Sequence, residues 1–331
     1  MKYRILIALT VLAAVTFSGC KKEGVYEPEA RISYRFDEEY TQWLAWLNGS
    51  LDTTRQDIRR HLAEAYRWNG DLLTAIAFYD TTRHTDALEY SLTFTYEKKQ
   101  VQKAVDARNG NYSVFVYDED KGKYLQKIET YNLADDSPVA TLTIGRAGEK
   151  DPHYTRLEYK YYPQGGGKIA AAAEGYTLTI DLEWGGDENV TAATYTYTAD
   201  DGKTLVQHLA FAYDDKVNPL HRCAQQLLAP RDTQYGRRLL HKWQDITSLS
   251  KHNVTKAVCD FTEEYYAISG DLATRDIHYE WNYNYTYTSG DVQAPMRVTG
   301  TWVENEYAAD GRLTYQEKHE RTSEYFYLPE E

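Results

Sequence analysis

Cysteine is scarce in this 331-residue chain, at three residues: Cys20, Cys223 and Cys259. A small fold held by a framework of disulfides is therefore excluded, because such frameworks need several pairs in a short chain. A basic surplus is missing too. The chain carries 37 Lys and Arg against 50 Asp and Glu, a formal net charge of −13. That balance argues against nucleic acid as a partner and against basic-patch contact with anionic lipid. Catalytic and metal-binding signatures are also lacking. The nine histidines are scattered, and none stands at zinc-ligand spacing from another His, Cys or carboxylate. His221 and Cys223 are near neighbours, but an isolated pair defines no site. There is no Gly-x-Ser-x-Gly elbow, and "QGGGK" at 164–168 lacks the spacing of a phosphate loop and reads as a hairpin turn. Glu263 and Glu264 are adjacent in a strand-like run, so they point to opposite faces and form no dyad. Neither Cys223 nor Cys259 can be assigned as a nucleophile from composition. The expectation is a non-enzymatic protein with no cofactor and no metal.

Long apolar runs are limited to one, Ile5 to Val15, behind Lys2 and Arg4 and ahead of "FSGC" at 17–20. It is too short to span a bilayer as a helix and reads as a secretory signal. The Ser-Gly-Cys ending resembles a bacterial lipobox, which makes Cys20 the acylated first residue after cleavage. Residues 1–19 are then the signal, 20–35 a lipidated tether poor in apolar residues, and 36–331 one large domain. The mature chain has 312 residues, and losing Lys2 and Arg4 takes the formal charge from −13 to −15. Membrane lipid is thus an expected partner through the acyl anchor. "CKKEG" at 20–24 resembles the signal that carries lipoproteins of some bacteria to the outer surface. The expected location is the outer membrane, cell-surface side, with a periplasm-facing domain as the alternative. "DTT" at 52–54 and 80–82 matches a three-residue O-glycosylation pattern, with Thr53 and Thr81 as acceptors. Cys223 and Cys259 either pair in an oxidising compartment or stay as two inert buried thiols.

What is abundant is tyrosine, 31 residues against 8 Phe, and alternation. "DIHYEWNYNYTYT" at 276–288 puts Ile277, Tyr279, Trp281, Tyr283, Tyr285 and Tyr287 on one parity and polar residues on the other, the period of a strand. "YTLTIDLEW" at 176–184 and "LVQHLAFAY" at 205–213 repeat the pattern. Turn signals such as "WNGD", "ADDGK" and "AADGR" separate such runs at short intervals. This implies an all-β fold of on the order of a dozen strands, a large curled antiparallel meander with few short helices. "TRQDIRRHLAEAY" at 54–66 reads as a strand, since Asn69-Gly70 follows it closely. "NPLHRCAQQLLA" at 218–229 reads as a helix, with Asn218 as cap and Pro219 in its first turn.

The aromatic parity has two readings. It is either core, with phenol and indole tips reaching a partner, or a ligand surface of Tyr279, Trp281, Tyr283 and Tyr285 in a barrel incompletely filled. A lipid-spanning barrel fits poorly, because tyrosines run through mid-strand and Glu or Asp occupy the opposite face. The lipobox, the Tyr-Asp-type hairpins at 115–131, 195–213 and 305–320 (each a tyrosine, an acidic turn with glycine and a following strand) and "AYDDKVNPL" at 212–220 with "SLSKHNVT" at 248–255 together resemble an uncharacterised Bacteroidota cell-envelope lipoprotein family. That family is a domain of unknown function with a porin-like fold. The resemblance covers most of residues 56–327 and implies a curled antiparallel sheet, with no activity assigned; with the mid-strand tyrosines, the expected arrangement is barrel-like but water-soluble. The expected role is a binding module for a glycan, a peptide or another envelope protein. The alternative is a structural or assembly component with no small ligand.

Overall fold

The computed structural model describes residues 30–329 apart from 48–49, 80–87, 119–121, 149–150, 164–174, 222, 231–242 and 267–269. The signal segment, Cys20, Thr81 and "QGGGK" lie outside the described residues. Sixteen strands follow in chain order: β1 (Ile32–Leu47), β2 (Ser50–Asn69), β3 (Leu72–Tyr79), β4 (Leu88–Glu97), β5 (Gln100–Asp106), β6 (Asn111–Tyr117), β7 (Leu125–Asn132) and β8 (Pro138–Arg146). Then come β9 (Tyr154–Tyr161), β10 (Tyr176–Trp184), β11 (Val190–Ala199), β12 (Thr204–Val217), β13 (His252–Tyr266), β14 (Leu272–Tyr287), β15 (Pro295–Ala308) and β16 (Leu313–Tyr327). Each strand pairs antiparallel with the next, and β1 pairs with β16, so the sheet is a closed up-and-down barrel. The all-β antiparallel meander read from the alternation is therefore the fold, closed into a barrel as the family resemblance implied, with sixteen strands where about a dozen were expected. The first strand begins at Ile32, four residues ahead of the expected domain boundary at residue 36.

Alternation sorts side chains between lumen and exterior. On β10, Leu178, Ile180 and Leu182 are buried inside while Asp181 and Glu183 are exposed outside. Ile180 lies in register between Leu157 of β9 and Tyr195 of β11, both also buried. The exterior is polar: Arg156, Glu158 and Lys160 on β9, Lys256, Asp260, Thr262 and Glu264 on β13, and Lys318 and Glu320 on β16 are all exposed. On these three strands the named positions are the reverse of those of a barrel in lipid, whose outer face carries an apolar band about 25 Å tall.

Only two short helices occur among the described residues, α1 (Ala224–Leu228) and α2 (Trp243–Thr247), both in the β12–β13 connection. They carry buried side chains, Leu227, Leu228, Trp243 and Ile246, that join the luminal core. The helix expected over 218–229 is thus reduced to five residues. Asn218 does not cap it: its amide donates to Thr247 O and Ser250 O at 3.2 and 3.0 Å, and its side-chain oxygen accepts from Leu220 N. Those bonds make a turn two residues long instead of a helical start.

Turn chemistry explains the undercounted strands. Asn69-Gly70 and Asn109-Gly110 place glycine at φ +57° and +63°, as the sequence signals require. The β4–β5 turn instead uses Lys98 and Lys99, at φ 50° and 67°, where neither side chain favours the left-handed region. Replacing the pair, Lys98→Asn with Lys99→Gly, is expected to raise stability by roughly 1–2 kcal/mol. A higher urea midpoint with an unchanged slope would register it.

An even number of strands returns the chain to the rim where it started. Leu328 N donates to Arg31 O at 2.9 Å, and the β12–β13 connection with α1 and α2 leaves from this same rim.

Candidate functional site

The lumen has two unlike halves. From β3 to β13 the inward positions are mostly apolar and filled, with Leu92, Ile128, Leu142, Leu157, Leu178 and Ile180 all at 2% exposure or less. From β14 round to β2 the inward positions turn polar: Arg275, Glu304, Glu306, Glu317, His319, Arg321, Arg35, Asp37, Glu39 and Glu64. Where the halves meet lies a partly enclosed cavity of about 400 Å³, a volume typical of small-molecule sites. Its walls are Trp243 of α2, Tyr279, Trp281 and Tyr283 of β14, Gly300, Trp302 and Glu304 of β15, Glu317, His319 and Arg321 of β16, and Glu39 of β1.

The aromatic parity of β14 builds one wall. Tyr279 and Trp281 stack at 5.4 Å and 7°, and Trp243 packs on Trp281 at 5.3 Å and on Tyr283 at 6.1 Å. Gly300 is the residue opposite Tyr283 in the β14–β15 register. A Cβ there would meet the Tyr283 ring at 2.7 Å, so glycine is what lets that ring lie across the neighbouring strand. Tyr285 does not join the site. Its hydroxyl donates to Val254 O at 2.6 Å, and the ring packs between Tyr283 and Tyr287. Three of the four aromatic residues expected on a ligand surface therefore line a cavity, and the fourth is a structural tie to β13.

The adjoining wall, reached across the register from Trp281 to Trp302 to His319, is a charge network centred on His319. Its Nε2 lies 2.7 Å from Glu317 Oε1, and its Nδ1 lies 2.9 Å from Thr41 Oγ1 and 3.6 Å from Glu39 Oε1. The imidazole stacks on Trp302 at 4.3 Å and 8°, and the Arg321 guanidinium sits over the same indole at 5.2 Å. Arg321 donates to Glu39 Oε2 from Nη2 at 2.8 Å and from Nε at 3.2 Å. Burial pushes the Glu39 carboxyl up, but the hydrogen bonds from His319 and Arg321 and their charges outweigh it and hold the group at about 2. Burial pulls His319 down, yet Glu317 and Glu39 together carry it above its usual 6.5. The signs differ: Glu39 stabilises the fold above its unfolded value of 4.5 and loses that contribution as pH falls toward 2. His319 stabilises it below 6.5 and loses that contribution as pH rises through its raised value.

The remaining sequence candidates fall elsewhere. Cys223 and Cys259 are both buried thiols with no bridge between them. Burial, then the charge of Asp260, pushes Cys259 up to about 12, so it is no thiolate at neutral pH. Thr53 is exposed on β2. The segment "AYDDKVNPL" makes a structural joint. Asp214 accepts from the backbone N of Lys216 and Asn253 and from the hydroxyl of Tyr287. Among the described residues no group of three His, Cys, Asp or Glu is arranged to hold a metal ion. Sequence reasoning missed Trp302, Glu304, Glu317, His319, Arg321 and Glu39. The available signal was parity: in "TWVENEY", 301–307, Trp302, Glu304 and Glu306 share one face, so carboxylates accompany an aromatic on the inward side.

No protein-family profile and no curated protein sequence matches the chain. Among solved structures, a porin-like protein from Bacteroides vulgatus is similar over 87% of this chain and 98% of its own, with 9% identity and a TM-score of 0.32. OmpT, an outer membrane protein of Vibrio cholerae, covers 89% and 100% at 8% identity and a TM-score of 0.28. A BenF-like porin from Pseudomonas fluorescens covers 92% and 100% at 10% identity and 0.27. TM-scores this low carry neither function nor location to this chain.

Proposed function

We propose that this is a lipid-anchored outer-membrane protein whose barrel stands in water and binds a glycan in its lumen without catalysis. The observation that carries the binding reading is the cavity of about 400 Å³ between the filled and the polar halves of the lumen. Flat aromatic faces take the apolar faces of sugar rings, and carboxylates, a guanidinium and an imidazole within the same walls meet hydroxyls. Trp243, Trp281, Tyr283 and Trp302 supply the first, and Glu304, Glu317, His319 and Arg321 the second. The polar exterior of β9, β13 and β16 supports a barrel outside the bilayer, and the lipobox at Cys20 supports the anchor. The resemblance to the Bacteroidota envelope lipoproteins is consistent with both.

Affinity electrophoresis through gels containing envelope polysaccharides tests the binding. The full chain is expected to be retarded by at least one, and Trp302→Ala and Glu317→Gln to lose about tenfold or more in affinity with unchanged far-ultraviolet circular dichroism. A wild-type chain that runs freely through every gel would leave the rival reading, a structural envelope component, which the packed β3–β13 half of the lumen favours. The anchor has its own measurement. Labelled palmitate is expected in the full chain and absent from Cys20→Ala, and label persisting in that variant would refute it.

A further inference from the structure

Among the described residues, seven large apolar side chains are exposed on the barrel: Tyr34, Leu88, Leu133, Val206, Leu272, Met296 and Phe326. Scattered singly, such residues need no explanation. Leu88, Leu133, Val206 and Leu272 are scattered in that sense, on β4, after β7, on β12 and on β14. The other three are not. Met296, Phe326 and Tyr34 sit on the consecutive strands β15, β16 and β1, near the rim where the chain enters and leaves the barrel. Tyr34 and Phe326 are direct partners in the β1–β16 register, and Phe36 packs edge-on against Phe326 at 5.7 Å. Their exposures are 48% for Tyr34, 50% for Met296 and 46% for Phe326. One pair of charges beside them is already engaged: Arg60 donates to Glu324 at 2.8 Å and lies over the Phe36 ring at 4.1 Å.

We infer that this patch seats the barrel on a lipid surface, with the rim of β15, β16 and β1 against the bilayer interface. The inference rests on the acyl anchor at Cys20. Eleven residues separate Cys20 from the start of β1 at Ile32, twelve steps of chain and a reach of roughly 40 Å at full extension. The anchor therefore holds the entry rim near lipid but leaves the tilt of the barrel open. A tyrosine, a phenylalanine and a methionine exposed together at that rim supply the missing constraint, since aromatic rings partition into the headgroup level. The net charge, −13 for the full chain and −15 once Lys2 and Arg4 are lost, argues against attraction to anionic headgroups as the cause, so seating depends on apolar contact and is insensitive to salt.

The test uses the full acylated chain on phosphatidylcholine vesicles, with Tyr34→Cys, Phe326→Cys or Leu272→Cys each carrying an environment-sensitive fluorophore. The wild-type chain, treated identically, gives the background from its own thiols. The labels at positions 34 and 326 are expected to shift to the blue and to lose emission when brominated lipid replaces ordinary lipid, at low and high salt alike. The label at 272, at the opposite rim, is expected to do neither. Flotation of the protein with the vesicles, with no quenching at 34 and 326, overturns the seating while leaving the anchor intact. Equal quenching at all three positions also overturns it, as does dimerisation that is lost in Phe326→Ser and proceeds without vesicles, which would assign the patch to a second copy. Loss of flotation altogether refutes the anchor itself.

Discussion

Trp281→Ala is expected to lower the unfolding free energy by about 3–5 kcal/mol. Trp281 is 6% exposed, stacked on Tyr279 and packed by Trp243, so the indole fixes both β14 and the inner helix α2. Its removal merges a new void with the existing cavity, and water entering there offsets part of the loss. The urea midpoint should fall accordingly, while Asn284→Ala, three residues along the same strand on the exposed face, stays within roughly 0.5 kcal/mol. An unchanged midpoint for Trp281→Ala would mean the residue serves ligand alone and holds nothing in place. Trp281 also lines the cavity proposed to take a glycan, so under that proposal the variant is expected to lose stability and glycan retention together.

The second large effect belongs to Arg275. Its Nη1 donates to Glu306 Oε2 at 2.5 Å, and its Nη2 and Nε to Glu263 Oε2 at 2.7 and 3.1 Å. The two carboxylates are only 9% and 15% exposed. Arg275→Met leaves two acidic side chains facing the lumen without this guanidinium, and about 3–5 kcal/mol is the usual cost of breaking such a buried pair. Adding Glu306→Gln to it should recover part of that loss, because one of the two charges is then gone. A double variant no more stable than the single one would show that Arg275 acts through its guanidinium on Tyr265, over whose ring it lies at 5.0 Å.

The strand period was the legible part of this fold. Residues 276–288 and 176–184 alternate so regularly that lumen and exterior could be separated by parity, and the structure keeps that separation on β14 and β10. Two things escaped. Strand number escaped where turns lacked glycine: Lys98-Lys99 makes a tight hairpin from residues that give no turn signal. The helix at 218–229 was overextended because Asn218 reads equally well as a helix cap or as the head of a local turn, and only Thr247 and Ser250, some thirty residues on, decide between them. The site was legible by half. Tyr279, Trp281 and Tyr283 stood out because they interrupt a polar background on one parity. Glu317, His319 and Arg321 did not, because alternation of charged with charged residues along β16 conceals which face is wet.

The pairing of β1 with β16 joins residues nearly three hundred positions apart, from Ile32 with Tyr327 to Ala45 with Tyr315. Every other strand finds its partner next in sequence, so the meander can assemble hairpin by hairpin as the chain is made. The seam alone must wait for the last residues. Until it forms, β1 presents one open backbone edge and β15 or β16 another, each a template for a strand of a neighbouring chain. Removal of β16 therefore leaves those two edges permanently unpaired. The truncated product is expected to form strand-exchanged oligomers, which would appear as high-mass species on size exclusion even at concentrations where the complete chain runs as one.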